Sequence, residues 1–355
     1  MGLRGRGTGS IRMDMEIETM KATIHDVAKR AGVSVATVSR VVNGNYPVKE
    51  ATRQKVQDAI DALEYVPNLQ ARELNLQHST TIGVVVSGFQ APFAEILGGV
   101  EQALRQRNYA VLLACGQHDP KQEAACIRDL MGRNVSGLVV VSPHAENFGN
   151  DFYQGAVKRM PVVFVNSSTQ IEHASYVSGD EKKGAEKALA HLLWHGHQRI
   201  LFVRGDDSDS CRMKEQVYRE LMEQAGILNE RYILGMGGSK AESMEHATRR
   251  IARYLKLSDV SAIFCSNDLM GVSAVNACKS LGKSVPEDIS VVGFGNIPLF
   301  HCFAPRLTTV DRNMLQMGKR AAEIILEKLG GAEDQQAVVE SILVEGETTA
   351  ACKEI

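Results

Sequence analysis

Two rhythms of apolar and polar residues divide the chain. From residue 81 onward, short β-branched runs (TIGVVVS, YAVLLAC, SGLVVVS, MPVVFVN, QRILFVRG, VSAIFCSND, ISVVGFG) alternate with amphipathic stretches such as PFAEILGGVEQALRQR. Strands alternating with helices predict parallel, doubly wound α/β sheets. There are more units than one sheet holds comfortably, so residues 81–355 are read as two lobes. The chain is expected to cross between them near 177–181, 307–311 and 336–341. One lobe then takes about 81–177 and 311–336, the other about 181–307 and 341–352. Before residue 68 the rhythm is helical. Ile24, Val27, Ala28 and Ala31 share one face, with Thr23 and Asp26 at capping-box spacing. Gly32 gives the permissive backbone of a tight turn, and Ser34 opens a second helix that ends near Asn43. A third runs from about Lys49 to Leu63, with Val56, Ala59, Ile60 and Leu63 inward, and Pro67 stops it.

Between the rhythms lie residues 68–80, NLQARELNLQHST, a helical stretch too short to be stable alone in water. The first 20 residues, MGLRGRGTGSIRMDMEIETM, lack the apolar core of a signal peptide and read as a disordered leader. The seven cysteines are odd in number and form no CxxC pair, so they are read as reduced thiols in a cytoplasmic protein. No run of 18 apolar residues is present, which gives no expected membrane span.

Charge sharpens the picture at one end. The net charge of the chain is −2, yet residues 21–55 carry seven Lys or Arg against only Asp26 and Glu50. A small basic module on a near-neutral body points to a polyanion partner for that module. Helix, tight turn, helix over 24–43 is helix-turn-helix geometry, whose second helix enters a major groove about 12 Å wide. Val35 and Ala36 suit a thymine methyl, and Arg40 suits a bidentate contact with guanine. Ser34, Thr37, Ser39 and Asn43 can hold phosphates without bulk. On geometry alone an ordinary three-helix packing module stays open.

The segments TIHDVAKRAGVSVATVSRVVNGN, VKEATRQKV and YVPNLQAREL closely resemble the DNA-binding head of the LacI/GalR family of bacterial transcription regulators. The resemblance continues through TIGVVV, PFAEIL, SND and VPEDISVVGFGNIPL to PRLTTV, spanning about residues 22–350. It implies an all-α helix-turn-helix head (21–67), a hinge helix (68–80) and a periplasmic-binding-protein-like core. It also implies a homodimer on a palindromic stretch of double-stranded DNA, repressing carbohydrate or related catabolic genes under control of a small-molecule effector. Base reading falls on Val35, Ala36 and Arg40, and phosphate contacts on Thr23, Ser34, Thr37, Ser39, Asn43 and Thr52. Ala71, Arg72 and Leu74 take the hinge's minor-groove positions, with Leu74 as the wedge. No heptad tail follows the last strand, so no tail-made tetramer is expected.

At the effector cleft the chain departs from the family pattern. The usual GFD reads Gly293-Phe294-Gly295, followed by Asn296, and Lys214 stands where an Arg is usual. Phe93 as a stacking wall, Asn166, and Asn267-Asp268 are retained. Three readings remain open: an anionic effector drawn by Lys214 and Arg212, a neutral one held by Asn296, Asn166 and Asp268, or control by a partner protein or by nothing. The rival class is a solute-binding protein, or a sugar-handling enzyme with the same rhythm. No catalytic carboxylate pair or Ser/His/Asp set is recognised, so no enzyme and no cofactor is expected. GMGGSK lacks the phosphate-loop pattern, DDSD (206–209) lacks a complete calcium loop and reads as a solvated loop near the cleft, and His191/His195 are discounted as metal ligands.

Overall fold

The computed structural model describes residues 22–43, 46–66, 79–89, 91–167, 169–206, 208–236 and 244–353. The chain forms two compact units, Met1–His78 and Ser79–Ile355.

In the first unit, α1 (Ile24–Ala31), α2 (Val35–Asn43) and α3 (Glu50–Ala62) enclose a small core of Val27, Ala28, Val38, Val56 and Ala59. Each boundary has a local cause. The Thr23 hydroxyl accepts from the Asp26 N–H (3.4 Å), while the Asp26 carboxylate accepts from the Thr23 N–H (2.8 Å), closing a capping box. Gly32 sits at φ 66°, ψ 34°, a left-handed conformation that ends α1 with little strain only in glycine. Ser34 Oγ accepts from the Thr37 N–H at 3.1 Å and so starts α2.

The second unit has two six-stranded sheets. Its elements run β1 (Thr81–Val86), α4 (Ala91–Gln106), β2 (Ala110–Cys115), α5 (Pro120–Gly132), β3 (Gly137–Val141), α6 (Glu146–Gly149), α7 (Phe152–Val157), β4 (Val162–Val165) and β5 (Ser175–Gly179). After these come α8 (Glu181–Trp194), β6 (Ile200–Arg204), α9 (Asp209–Gln224), β7 (Ile233–Gly235), α10 (Met244–Leu255), β8 (Ala262–Cys265), α11 (Asp268–Ser280) and β9 (Ser290–Gly295). The chain closes with β10 (Thr308–Asp311), α12 (Met314–Leu329), β11 (Gln336–Val339) and β12 (Ile342–Val344). The first sheet has the order β11-β5-β4-β3-β1-β2 and is parallel throughout; the second is β12-β10-β9-β8-β6-β7, parallel except for β12 against β10. Central strands such as GLVVV are buried on both faces because helices cover both sides, which is why they read as unbroken apolar runs.

The crossings differ in detail from the sequence expectation. The span 307–311, read as a connection, is strand β10 of the second sheet, and the chain crosses only after Asp311. Likewise β11 occupies the start of 336–341, and the crossing is the short step from Val339 to Ile342. Both strands are only four residues long, too brief to show a period.

Having crossed back, α12 packs on α4 almost backbone to backbone. A Cβ on Gly99 would lie 2.1 Å from the Leu315 carbonyl oxygen, and one on Gly318 2.0 Å from that of Ile96. The first lobe therefore holds these two helices in a seam that admits no side chain at either glycine.

Candidate DNA-reading helix and ligand cleft

On α2, Val38 is fully buried and anchors the helix, leaving a different face outward. Ala36 and Arg40 are exposed; Val35, Thr37 and Ser39 are half-buried beside them. The Arg40 guanidinium lies over the Tyr46 ring, 5.4 Å from its centroid, and Tyr46 is itself 63% exposed. Tyr46 went unnoticed in the sequence because a lone tyrosine after a helix carries no periodic signal.

The hydroxyls are partly committed. Thr23 Oγ1 donates to Asp26 at 2.6 Å, so this side chain, expected at a phosphate, serves the cap instead. Ser34 and Thr37 share one hydrogen bond of 2.9 Å, which uses one of their two hydroxyl protons and leaves the other. Thr52 is half-buried near the start of α3. The Asn43 side chain and all of Ala71, Arg72 and Leu74 lie outside the described residues.

In the core, a cavity of about 350 Å³ opens between the lobes. Asn166, Asn267 and Gly295 reach it from the carboxyl ends of β4, β8 and β9, the edge at which open α/β sheets gather ligand-binding groups. Phe93 from α4 and Phe294 give it aromatic walls. Asn166, at φ 58°, donates through Nδ2 to Ser142 Oγ (3.1 Å), and Asn267 Oδ1 accepts from the Met270 N–H (2.9 Å) as the cap of α11.

Two residues expected on the wall are elsewhere. Asp268 is 1% exposed, and its carboxylate takes hydrogen bonds from the Thr309 hydroxyl and the Ile297 N–H (2.8 Å). Burial raises its pKa in spite of these bonds. A Cβ on Gly293 would come within 2.5 Å of this carboxylate. At Gly295 the distance is 3.2 Å and φ is 142°, so glycine there fits both the backbone and the space beside Asp268. Asn296 does not line the cavity either: its Nδ2 donates to Asp311 (3.0 Å), and its Oδ1 is 2.9 Å from His301 Nε2.

The cations expected to draw an anion are already paired. Lys214 is 2% exposed; its ammonium donates to Glu181 (3.0 Å) and Ser210 (2.6 Å) and sits 4.1 Å from the Phe294 ring centroid. Glu181 also binds Arg312, whose Nη2 lies 3.4 Å from Asn166 Oδ1 in the other lobe. Burial alone would raise the Glu181 pKa, but Arg312 and Lys214 outweigh it and hold the carboxyl down at about 2. Burial lowers the Lys214 pKa, with Glu181 opposing. Arg212, the other expected cation, is exposed and paired with Asp209. Glu95, Asp206 and Arg312 line the cavity and were not expected there; the solvated loop of 206–209 thus contributes Asp206 to the wall. Among the described residues no cluster of three metal-ligating side chains occurs, and no helix is long and apolar enough to cross a membrane.

Residues 23–68 match the family pattern described as "Bacterial regulatory proteins, lacI family", and residues 189–349 the "Periplasmic binding protein-like domain". The chain is 32% identical to the HTH-type transcriptional repressor PurR of Photobacterium profundum, over 90% of this chain and 95% of that protein. The chain belongs to the LacI family. The HTH-type transcriptional regulator DegA of Bacillus subtilis is 30% identical over 84% of this chain and 89% of its own. Among solved LacI-family structures, the lac repressor dimer bound to operator and the anti-inducer ONPF superposes with a TM-score of 0.77, at 26% identity over 93% of this chain and 100% of that one. The regulator CelR in complex with cellobiose superposes at 0.65, with 29% identity over 92% and 100%. The molecule is thus a LacI-family DNA-binding transcriptional repressor with an effector-binding core, and not an enzyme.

Proposed function

We propose that the protein works as a homodimer that represses transcription from a two-fold-symmetric operator and responds to a small, non-anionic effector in the interlobe cavity. The observation that carries the DNA reading is the outward face of α2. Ala36 and Arg40 are exposed there, and no carboxylate occurs from Ser34 to Lys49 to repel phosphate. Val35 and Ala36 contact base edges, Arg40 reads a guanine with Tyr46 supporting it, and Ser34, Thr37, Ser39, Asn43 and Thr52 take phosphates. The segment 68–80 forms paired hinge helices, with Ala71, Arg72 and Leu74 at the minor groove and Leu74 kinking the operator centre. The similarity to a lac repressor dimer bound to operator supports a dimer on DNA.

For the effector, Phe93, Asn166, Asn267 and the open floor at Gly295 are the contacts. An anion is disfavoured because Lys214 and Arg312 are both engaged by Glu181 while Glu95 and Asp206 bring two further carboxylates to the cavity. Selecting binders from a random duplex pool with the full chain tests the reading. A two-fold-symmetric consensus whose gel shift is altered by a small molecule is the expected result; a pool with no enriched symmetric sequence refutes it.

A further inference from the structure

Resting on that regulator reading, we infer that the cleft is built for an amine-bearing, polar small molecule whose ammonium group is received by Glu95. Glu95 lies on α4, close in sequence to the aromatic wall made by Phe93, and its half-buried carboxylate lines the cavity. Among the described residues it has no hydrogen-bond or ion-pair partner. A carboxylate drawn partly out of water without a partner is costly, and neutral or paired states relieve that cost. Its surroundings agree: burial and the nearby Asp311 carboxylate both raise its affinity for a proton.

Among the described residues the wall offers nothing else to neutralise it. Lys214 and Arg312, the two cations lining the cavity, share Glu181. Asp206 adds a second wall carboxylate, held in its charged form chiefly by hydrogen bonds from Ser208, against the opposing effect of burial. Two cations and three carboxylates, counting Glu181, thus meet here, with Asp311 a further carboxylate near Glu95. Negative charge is in excess, and the carboxylate left without a partner is Glu95. A protonated primary amine donates up to three hydrogen bonds and supplies the missing charge. Asn166 and Asn267 remain for hydroxyls or carbonyls on the rest of the ligand, and Phe93 and Phe294 for its apolar face. The cavity volume suits a molecule of sugar or nucleoside size.

The test is calorimetry on the full chain with matched probes: hexoses, the corresponding 2-amino-2-deoxyhexoses, hexose 6-phosphates, and simple aliphatic amines. Binding of an amine probe at least about tenfold tighter than its neutral counterpart, with no binding of the phosphates, is expected. Glu95→Gln should remove that preference and Glu95→Asp should retain part of it, with the melting midpoint of each ligand-free variant confirming the fold. Equal affinity for amine and hydroxyl probes, a preference that survives Glu95→Gln, or no amine binder in the panel each overturns the inference. Operator binding by the wild-type chain is measured alongside. If it is intact, those failures fall on the ligand class alone; if it is absent, the regulator reading falls and takes the inference with it.

Discussion

Replacing Glu181 by Gln removes one charge from between the buried Lys214 and the half-buried Arg312 and keeps the volume nearly unchanged. In the wild type the carboxyl titrates at about 2 against an ordinary 4.5. That depression corresponds to about 3 kcal/mol of stability. The sign is that of a lowered carboxylate: the contribution is complete above pH 4.5 and is lost as pH falls toward 2. Lys214, whose burial weakens its hold on the proton, works in the other direction at neutral pH and trims the total. Breaking a buried pair by removing one partner costs about 3–5 kcal/mol, so a loss of about 3 kcal/mol at pH 7 is expected for Glu181→Gln. Protonated Glu181 resembles Gln, so the gap between the two proteins should shrink below pH 4.5. Urea unfolding of the full chain, followed on the core's transition from pH 7 down to pH 3, measures this. A gap that is absent at pH 7, or equally wide at pH 3, refutes the role given to the cluster.

The same variant leaves Lys214 and Arg312 without their counter-charge, so inorganic phosphate should raise its melting temperature and leave the wild type unmoved in a thermal-shift assay. Arg40→Ala should weaken operator binding by about 1–3 kcal/mol and relax preference at one base pair, as read by gel shift on single-base operator variants. Leu74→Ala should lose more affinity on an operator with a flexible pyrimidine–purine centre than on one with a stiff centre; equal losses would tell against the wedge. Gly295→Asp should cost about 1–3 kcal/mol in denaturant melts, since it places a side chain at φ 142° with its Cβ 3.2 Å from the Asp268 carboxylate.

The strands were legible because burial on both faces writes itself as unbroken Val and Ile runs, and the head because its caps are local: Thr23 with Asp26, Gly32, Ser34 with Thr37. The cleft was legible in residue type more than in role. Lys214 could be singled out from its own stretch, but its partner Glu181 lies in GDEKKG, which reads as an ordinary charged helix start. Arg312 was hidden just past a four-residue strand taken for a connection. Asp268 and Asn296 sit next to cavity residues in the chain, yet the capped start of α11 and the left-handed backbone at Asn296 turn their side chains to Thr309 and Asp311 instead. Sequence neighbourhood gives proximity, and backbone direction decides which side chain faces the ligand.

The glycine seam between α4 and α12 has a consequence for how such a regulator can change its ligand. Phe93 and Glu95 ride on one partner of the seam, and Met314 opens the other. Cavity residues can be exchanged singly, each altering one surface of the recognition chamber. A methyl group at Gly99 or Gly318 would instead pry two helices apart and displace three cavity-lining side chains together. Diversification toward new effectors is therefore free at the lining and frozen at the seam. In a saturation library selected for any effector whatever, those two glycines should be the positions that never vary.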